Sequence, residues 1–316
     1  MEIISLPLWV WIFFYVMVLV MLWIDLKSFG RKGQHEVSIS EALKMTIIWI
    51  VVSLIFCGGI ELFYPGNSHE MAMEFLAGYI IEKSLSMDNL FVFLMLFSFF
   101  GIQRKYQHEV LFWGILGALV LRSIFIFAGT ALIVRFEWIL GIFGIFLIYT
   151  GIKMFCQKGN EQVDPSKNIF VKLFKKFFPV TDQMHEDKFF IIENGKRLAT
   201  PLFIALLVIE TTDVAFAVDS IPAVFSVSHD PFIVLTSNIF AILGLRALYF
   251  ALAAVVKYFT YLKYGLGIIL SFVGVKMLLE LKDIEVSTPL SLAIIFGVLV
   301  LSMLLSVVIS RTKSTE

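Results

Sequence analysis

Along the 316-residue chain, apolar positions come in long unbroken runs rather than in alternating or one-sided stripes. Nine of these runs reach about 18 residues or more, the length that carries a helix across the hydrocarbon core of a bilayer. They lie at 6–26, 45–64, 74–100, 110–134, 137–156, 200–226, 231–256, 261–280 and 288–310. The pattern predicts an all-α polytopic membrane protein with about nine transmembrane helices. The first run has no basic segment before it and no small-residue cleavage site after it, so it is expected to be a retained span and not a signal peptide.

The connections alternate in basic charge. Lys27, Arg31, Lys32 and Lys44 follow span one, Arg104 and Lys105 follow span three, a lysine-rich stretch follows span five, Lys257 and Lys263 follow span seven, and Arg311 and Lys313 close the chain, whereas the intervening connections carry only Arg135 or Lys282 or nothing basic. Basic loops stay on the cytoplasmic side. The expected orientation is therefore an outer N-terminus and a cytoplasmic C-terminus in the inner membrane. The one long connection, 157–199, is then cytoplasmic. In it, "NIFVKLFKKFFPV" sets Phe170, Leu173, Phe174 and Phe177 against Lys167, Lys172, Lys175 and Lys176, as in an amphipathic helix on an anionic leaflet or a solvated linker. "FFIIENGKRLAT" carries a hairpin signal at Asn194-Gly195.

Composition agrees with the pattern, with 59% hydrophobic side chains and 15% aromatics, outside the soluble range. Lys+Arg and Asp+Glu balance at 25 each, so net charge points to no nucleic-acid partner. Cys57 and Cys156 fall in or beside apolar runs, which excludes a disulfide framework or a paired-cysteine metal knuckle.

Within the spans the sequence repeats. "EKSLSMDN" at 82–89 aligns with "DVAFAVDS" at 213–220, matching Glu82 to Asp213, Asp88 to Asp219 and Asn89 to Ser220. Arg122 in "GALVLRSIF" matches Arg246 in "FAILGLRAL", and Lys153 in "TGIKMF" matches Lys276 in "VGVKML". Spans three to five are thus expected to recur as spans six to eight. An odd number of spans per unit forces opposite orientations, giving an inverted repeat of three helices each, with ion sites near the midplane between the halves. The expected organisation is 1–72 (two N-terminal spans), 73–156 (first repeat), 157–199 (cytoplasmic connection), 200–282 (second repeat) and 283–316 (last span and cytoplasmic tail).

An ionisable group at the bilayer centre costs roughly 2.5 to 3.5 kcal/mol on insertion scales. Five of them, Glu82, Asp88, Glu210, Asp213 and Asp219, require compensation, which the sequence offers through Arg122, Arg246 and Lys83. Fully ionised, this set keeps two negative charges, the charge one divalent cation neutralises. Glu82, Ser86 and Asn89 share a helical stripe, as do Glu210, Asp213, Ala217 and Ser220, while Asp88 and Asp219 lie about 120° away. Pro222 is expected to break span six just after Asp219, freeing carbonyl oxygens there. Every histidine (His35, His69, His108, His185, His229) falls in a connection. The oxygen-rich remainder suits Mn, Mg or Ca better than Zn or Cu.

The candidate metal ligands are thus Glu82, Asp88, Asn89, Asp213, Asp219 and Ser220, with Glu210 as an additional ligand or proton carrier and Arg122 and Arg246 as charge compensators. Plainer readings stand beside these. Met87 packs or adds a thioether contact, and Thr236, Ser237 and Asn238 line a cavity or bond between helices. The arginines serve structure as readily as transport, and Lys153 and Lys276 are expected to snorkel to the interface. Glu61, Glu70 and Glu137 are read as exposed on the outer side. No nucleophile elbow, phosphate-binding loop or HExxH zinc motif occurs, so neither an enzyme nor a bound cofactor is expected.

"EKSLSMDNLFVF", the stretch "ATPLFIALLVIETTDVAFAVDSIPAVFSVSHDPFIVLTSNIFAILGLRALYF" and "GVKMLLE" resemble the TerC family of integral membrane proteins, the group that includes the alkaline-induced Alx proteins. The resemblance spans about residues 6–310. It implies a nine-span protein with inverted three-span repeats, linked to manganese export and metal homeostasis, with an association to tellurium resistance. The acidic motif residues it implies here are Glu82, Asp88, Asp213 and Asp219, beside Asn89 and Ser220. The expected function is a secondary transporter of Mn²⁺ or a related divalent ion, with protons as counter-ion. The alternatives are a non-transporting scaffold or stress-resistance factor and a passive cation channel. The partners expected are the metal ion, protons and the lipid bilayer.

Overall fold

A computed structural model describes residues 6–30, 38–136, 138–156, 169–181, 188–193, 195–255, 262–282, 284 and 286–313. In chain order the elements are α1 (Leu8–Gly30), α2 (Ile39–Phe63), α3 (Ser68–Phe99), α4 (Arg104–Arg135), α5 (Ile139–Cys156), α6 (Ile169–Phe177), β1 (Phe190–Glu193), β2 (Lys196–Ala199), α7 (Pro201–Phe225), α8 (Pro231–Ile242), α9 (Leu245–Val255), α10 (Leu262–Glu280) and α11 (Thr288–Lys313).

Local chemistry sets several helix starts. The Ser38 hydroxyl accepts the Glu41 amide at 3.2 Å to open α2, and one carboxylate oxygen of Asp230 accepts the Phe232 and Ile233 amides at 2.8 and 3.0 Å to open α8. Pro201 and Pro231 sit in the first turns of α7 and α8, where a missing N–H costs nothing. The two strands pair antiparallel from Phe190↔Ala199 to Glu193↔Lys196. Gly195, at φ 73°, supplies the left-handed turn between them. Asn194, Glu137 and Lys167 lie outside the described residues, as does the Phe170 side chain.

Polarity is distributed as lipid demands rather than as water does. Leu8, Trp9, Ile55, Leu62 and Phe63 are exposed, while Glu82, Arg122, Asp213, Ser220 and Asn238 are buried. Apolar outside and ionisable inside is the arrangement of a helix bundle in a bilayer, and the protein is a polytopic, mostly helical membrane protein. Five stretches among the described residues are long and apolar enough to cross: Leu8–Lys27, Ile39–Phe63, Arg104–Ala131, Pro231–Ala253 and Pro289–Ser306. Gly141–Lys153 and Tyr264–Leu279 are shorter apolar helices. The helices read as spans three and six, α3 and α7, are not among the five; they carry Glu82, Lys83 and Asp88, and Glu210, Asp213 and Asp219.

α3 and α8 form the centre. α3 packs on α8, α2, α7 and α11, and α7 packs on α4. Phe14 of α1, Phe56 of α2 and Phe75 of α3 converge on Phe240 of α8, with ring centroids 6.3, 4.5 and 5.8 Å away. α5 and α10 make the most extensive pair in the protein. A Cβ on Gly144 would come within 2.9 Å of the Gly274 carbonyl oxygen, one on Gly274 within 2.5 Å of the Gly144 carbonyl, and one on Gly151 within 2.6 Å of the Gly267 carbonyl. The order of these contacts makes the two helices antiparallel, with backbones close enough that only glycine fits.

Two expectations about helix continuity are corrected. α7 continues through Pro222 to Phe225. Pro222 lies in the last turn, so its missing N–H deprives only one carbonyl, and the end is closed by Ser226 N–H to Pro222 O (3.1 Å) and Ser228 N–H to Val224 O (3.2 Å). The break falls instead in the apolar run at 231–256, between α8 and α9. There Gly244 takes φ 81°, a conformation that ends a helix and suits glycine. Trp49 of α2 closes over it, leaving room for no side chain: a Cβ would lie 2.7 Å from the Trp49 ring.

Candidate functional site

α3, α4, α7 and α8 each bring polar groups to one buried point. Arg122, on α4, is its hub. Its Nε donates to Asp213 Oδ2 at 3.2 Å and its Nη2 to Asp213 Oδ1 at 3.0 Å, the forked geometry that guanidinium and carboxylate share. Its Nη1 donates to Glu82 and points toward Ser220 Oγ at 3.4 Å and Asn238 Oδ1 at 3.5 Å. Asn238 Nδ2 donates to the second Glu82 oxygen at 3.0 Å, and Asn89 Nδ2 to Asp213 Oδ1 at 3.4 Å. Glu82 is 0% exposed, Arg122 1% and Asp213 6%. Two carboxylates this deep are tolerable because all four of their oxygens have partners and one cation lies between them.

Of the residues the sequence singles out, the structure thus gathers Glu82, Asn89, Asp213, Ser220 and Arg122. The side chains of Asp88, Asp219 and Met87 lie outside the described residues. Glu210 stands one turn before Asp213 on α7 and fits into a slot on α4, where a Cβ on Gly117 would lie 2.1 Å from Glu210 Oε1. Its Oε2 is buried with no hydrogen-bond partner among the described residues. Thr236 and Ser237 donate back to Ile233 and Val234 carbonyls at 3.3 and 3.1 Å; of that trio only Asn238 reaches the cluster. Glu61 and Glu70 are exposed and engage His69 (3.1 Å) and Asn67 (2.6 Å). Among the described residues, no three His, Cys, Asp or Glu side chains are gathered closely enough to hold a metal ion.

Two charge assignments are corrected and a third gains a partner. Arg246, expected beside the central carboxylates, donates through Nη1 to Asp25 of α1 at 2.9 Å. Lys83, although next to Glu82, donates to the carbonyls of Ala241 and Leu243 at 3.0 and 3.3 Å. Side chains of consecutive helical residues diverge by about 100°, which sends Glu82 toward Arg122 and Lys83 toward the end of α8. Lys276 does not snorkel. It is buried and donates to Ser226 O at 2.5 Å, while Lys153 is exposed. Asp25 and Gly117 escaped the sequence reading. An acidic residue in the last positions of an apolar run was the available signal for Asp25, whereas nothing in the sequence marks Gly117.

The arrangement can do two things chemically. It stores paired negative charge in a buried site under the control of one guanidinium, and through Glu210 it offers a further carboxylate oxygen without a partner among the described residues.

The model of the integral membrane protein TerC family matches residues 67–314. Over 306 residues the chain is 46% identical to STKORF319 of Myxococcus xanthus, an uncharacterized membrane protein, covering 97% of this chain and 94% of that one. It is 45% identical over 311 residues to Alx of Photorhabdus laumondii, covering 97% of each. To Alx of Escherichia coli K12 it is 44% identical over 311 residues, covering 97% of this chain and 96% of that one. Both Alx proteins are provisionally described as membrane-bound redox modulators. No solved structure matches the chain.

Proposed function

The chain belongs to the TerC family of integral membrane proteins, and we propose that it is a secondary transporter exporting Mn²⁺ or a related divalent ion from the cytoplasm. The observation that carries this reading is the buried Glu82–Arg122–Asp213 cluster, which joins α3 and α7. Clustered carboxylates inside a membrane bundle are characteristic of ion pathways.

The proposed architecture has nine spans, with α8 and α9 as one broken span. α3–α5 and α7–α10 are its two inverted halves, the N-terminus is outside and the C-terminus in the cytoplasm, in the inner membrane. The glycine contacts support it. The alignment that matches Lys153 to Lys276 also matches Gly151 to Gly274 and Gly144 to Gly267. The observed pairs, Gly144 with Gly274 and Gly151 with Gly267, are therefore reciprocal, as a two-fold axis in the membrane plane requires. α3 on α8 and α7 on α4 are reciprocal in the same sense.

In the proposed cycle the Arg122-bound cluster is the metal-free state. A divalent ion arriving from the cytoplasm competes with Arg122 for Glu82 and Asp213, joined by Asp88, Asn89, Asp219 and Ser220. Hard oxygen donors suit Mn²⁺. The displaced guanidinium, or a returning proton, is received by Glu210. Rocking of the halves then opens the site outward, where protons and Arg122 reclaim the carboxylates. No covalent chemistry and no cofactor are involved.

Metal flux in proteoliposomes, with competing divalent ions and an imposed pH gradient, tests this. Asp88→Asn or Asp219→Asn is expected to abolish export while the protein still inserts, and wild-type-like efflux in both would sink the assignment. Uphill transport excludes a passive channel. A scaffold would leave cell manganese unchanged under manganese excess, and a redox modulator, the role in the Alx name, would alter redox state without metal flux.

A further inference from the structure

Inside a bilayer every backbone carbonyl needs a partner from the protein, since lipid offers none. A helix that stops within the membrane leaves its last carbonyls without the amides of a next turn, and it concentrates negative partial charge there. α8 stops in this way. At the break the Leu243 amide still bonds Ile239 O and the Leu248 amide bonds Gly244 O, both at 2.9 Å. The Ala241 and Leu243 carbonyls instead receive the Lys83 ammonium, at 3.0 and 3.3 Å. The same ammonium lies 6.0 Å from the centre of the Tyr79 ring, within reach of a cation–π attraction. Among the described residues it forms no ion pair with a carboxylate. Two carbonyl oxygens, a helix C-terminus and an aromatic face make a site for a small cation with N–H donors.

We propose that the break between α8 and α9 is a cation site filled by the chain's own Lys83 ammonium, which makes Lys83 the positioning residue tying the broken helix to the carboxylate cluster. The tie follows from sequence adjacency. Glu82 holds α8 through Asn238, at 3.0 Å, and Lys83 holds the end of the same helix one turn later. Two consecutive residues of α3 thus grip α8 inside and at its tip, so the tip cannot leave Lys83 without moving the turn that presents Glu82. On the other side Trp49 seals Gly244, and Asp25 holds Arg246 immediately after the break. The consequence for transport rests on the reading above; the site itself does not.

The test is amide hydrogen exchange of residues 241–248 in the full-length protein in detergent, for wild type, Lys83→Ala, Lys83→Met and Lys83→Arg. Loss of charge-assisted hydrogen bonds should speed exchange of the Leu243 and Leu248 amides by on the order of tenfold to a hundredfold in the Ala and Met variants, and less in Arg. Added n-propylammonium, which replaces the atoms that Lys83→Ala removes, should slow exchange in that variant back toward wild type. Tetramethylammonium, which has no N–H, should not. Unchanged exchange in Lys83→Met, no response to propylammonium, or an equal response to tetramethylammonium overturns the site. Should Lys83→Ala fail to fold, Lys83→Met carries the decision, because its unbranched apolar stem fills the space without donating. A wild-type protein silent in the flux assay would remove the transport reading and leave this result standing. Normal exchange in the variants beside intact wild-type flux would do the reverse.

Discussion

Arg122 and Arg246 fall in similar sequence motifs and take different partners among the described residues. Arg122 sits on an unbroken α4 and clasps one carboxylate from α3 and one from α7. Arg246 sits two residues after Gly244 and pairs with Asp25 of α1. At Arg246 the anion comes from α1, through Asp25. Two similar sequence motifs thus place one arginine at the centre of the cluster and the other against α1.

The largest expected effect comes from separating the two roles at Arg122. Arg122→Met leaves Glu82 and Asp213 buried and unpaired and should cost about 3–5 kcal/mol, seen as a fall in thermal unfolding temperature in detergent together with loss of flux. Adding Glu82→Gln should return part of the stability and none of the flux. Asp25→Asn tests the other arm, with a smaller expected loss of about 2–3 kcal/mol and residual flux. If it silences flux as fully as Arg122→Met does, the distinction between an organising and a fastening arginine fails.

Gly244→Ala probes the break between α8 and α9. It places a Cβ at positive φ and 2.7 Å from Trp49, for an expected loss of about 1–2 kcal/mol, and Trp49→Ala in the same chain should recover the overlap but not the backbone strain. A stable, fully active Gly244→Ala would mean that the break is dispensable. The smallest effects contrast the two lysines. Lys276→Gln removes a buried donor to Ser226 O and should cost about 1 kcal/mol. Lys153→Gln, at an exposed position, should stay within about 0.5 kcal/mol of wild type.

Much of this was legible in the sequence for definite reasons. Charged residues inside apolar runs have few places to go, so Glu82, Asp213 and Arg122 announced a shared buried site, and the stripe of Asn89 and Ser220 followed from helical periodicity. Pro222 misled because a proline removes only its own N–H bond to the preceding turn and restricts the residue before it, and here α7 runs on through it to Phe225. Gly244 was passed over because an isolated glycine in an apolar run is common; the Trp49 ring that leaves no room for a side chain there lies 195 positions earlier in the numbering. Lys83 was misassigned because adjacency in sequence was read as adjacency in space.

By itself the sequence determined what periodicity and composition can encode: long apolar helices, a repeated set of charged motifs, and oxygen-bearing stripes facing inward. These depend on neighbours within a few turns. Which carboxylate each cation meets, where a span breaks, and which lysine is buried were decided only by tertiary structure. Those outcomes depend on through-space distances between groups 40, 91 and 221 residues apart, and a buried charge takes whichever partner the packing of other helices brings within reach.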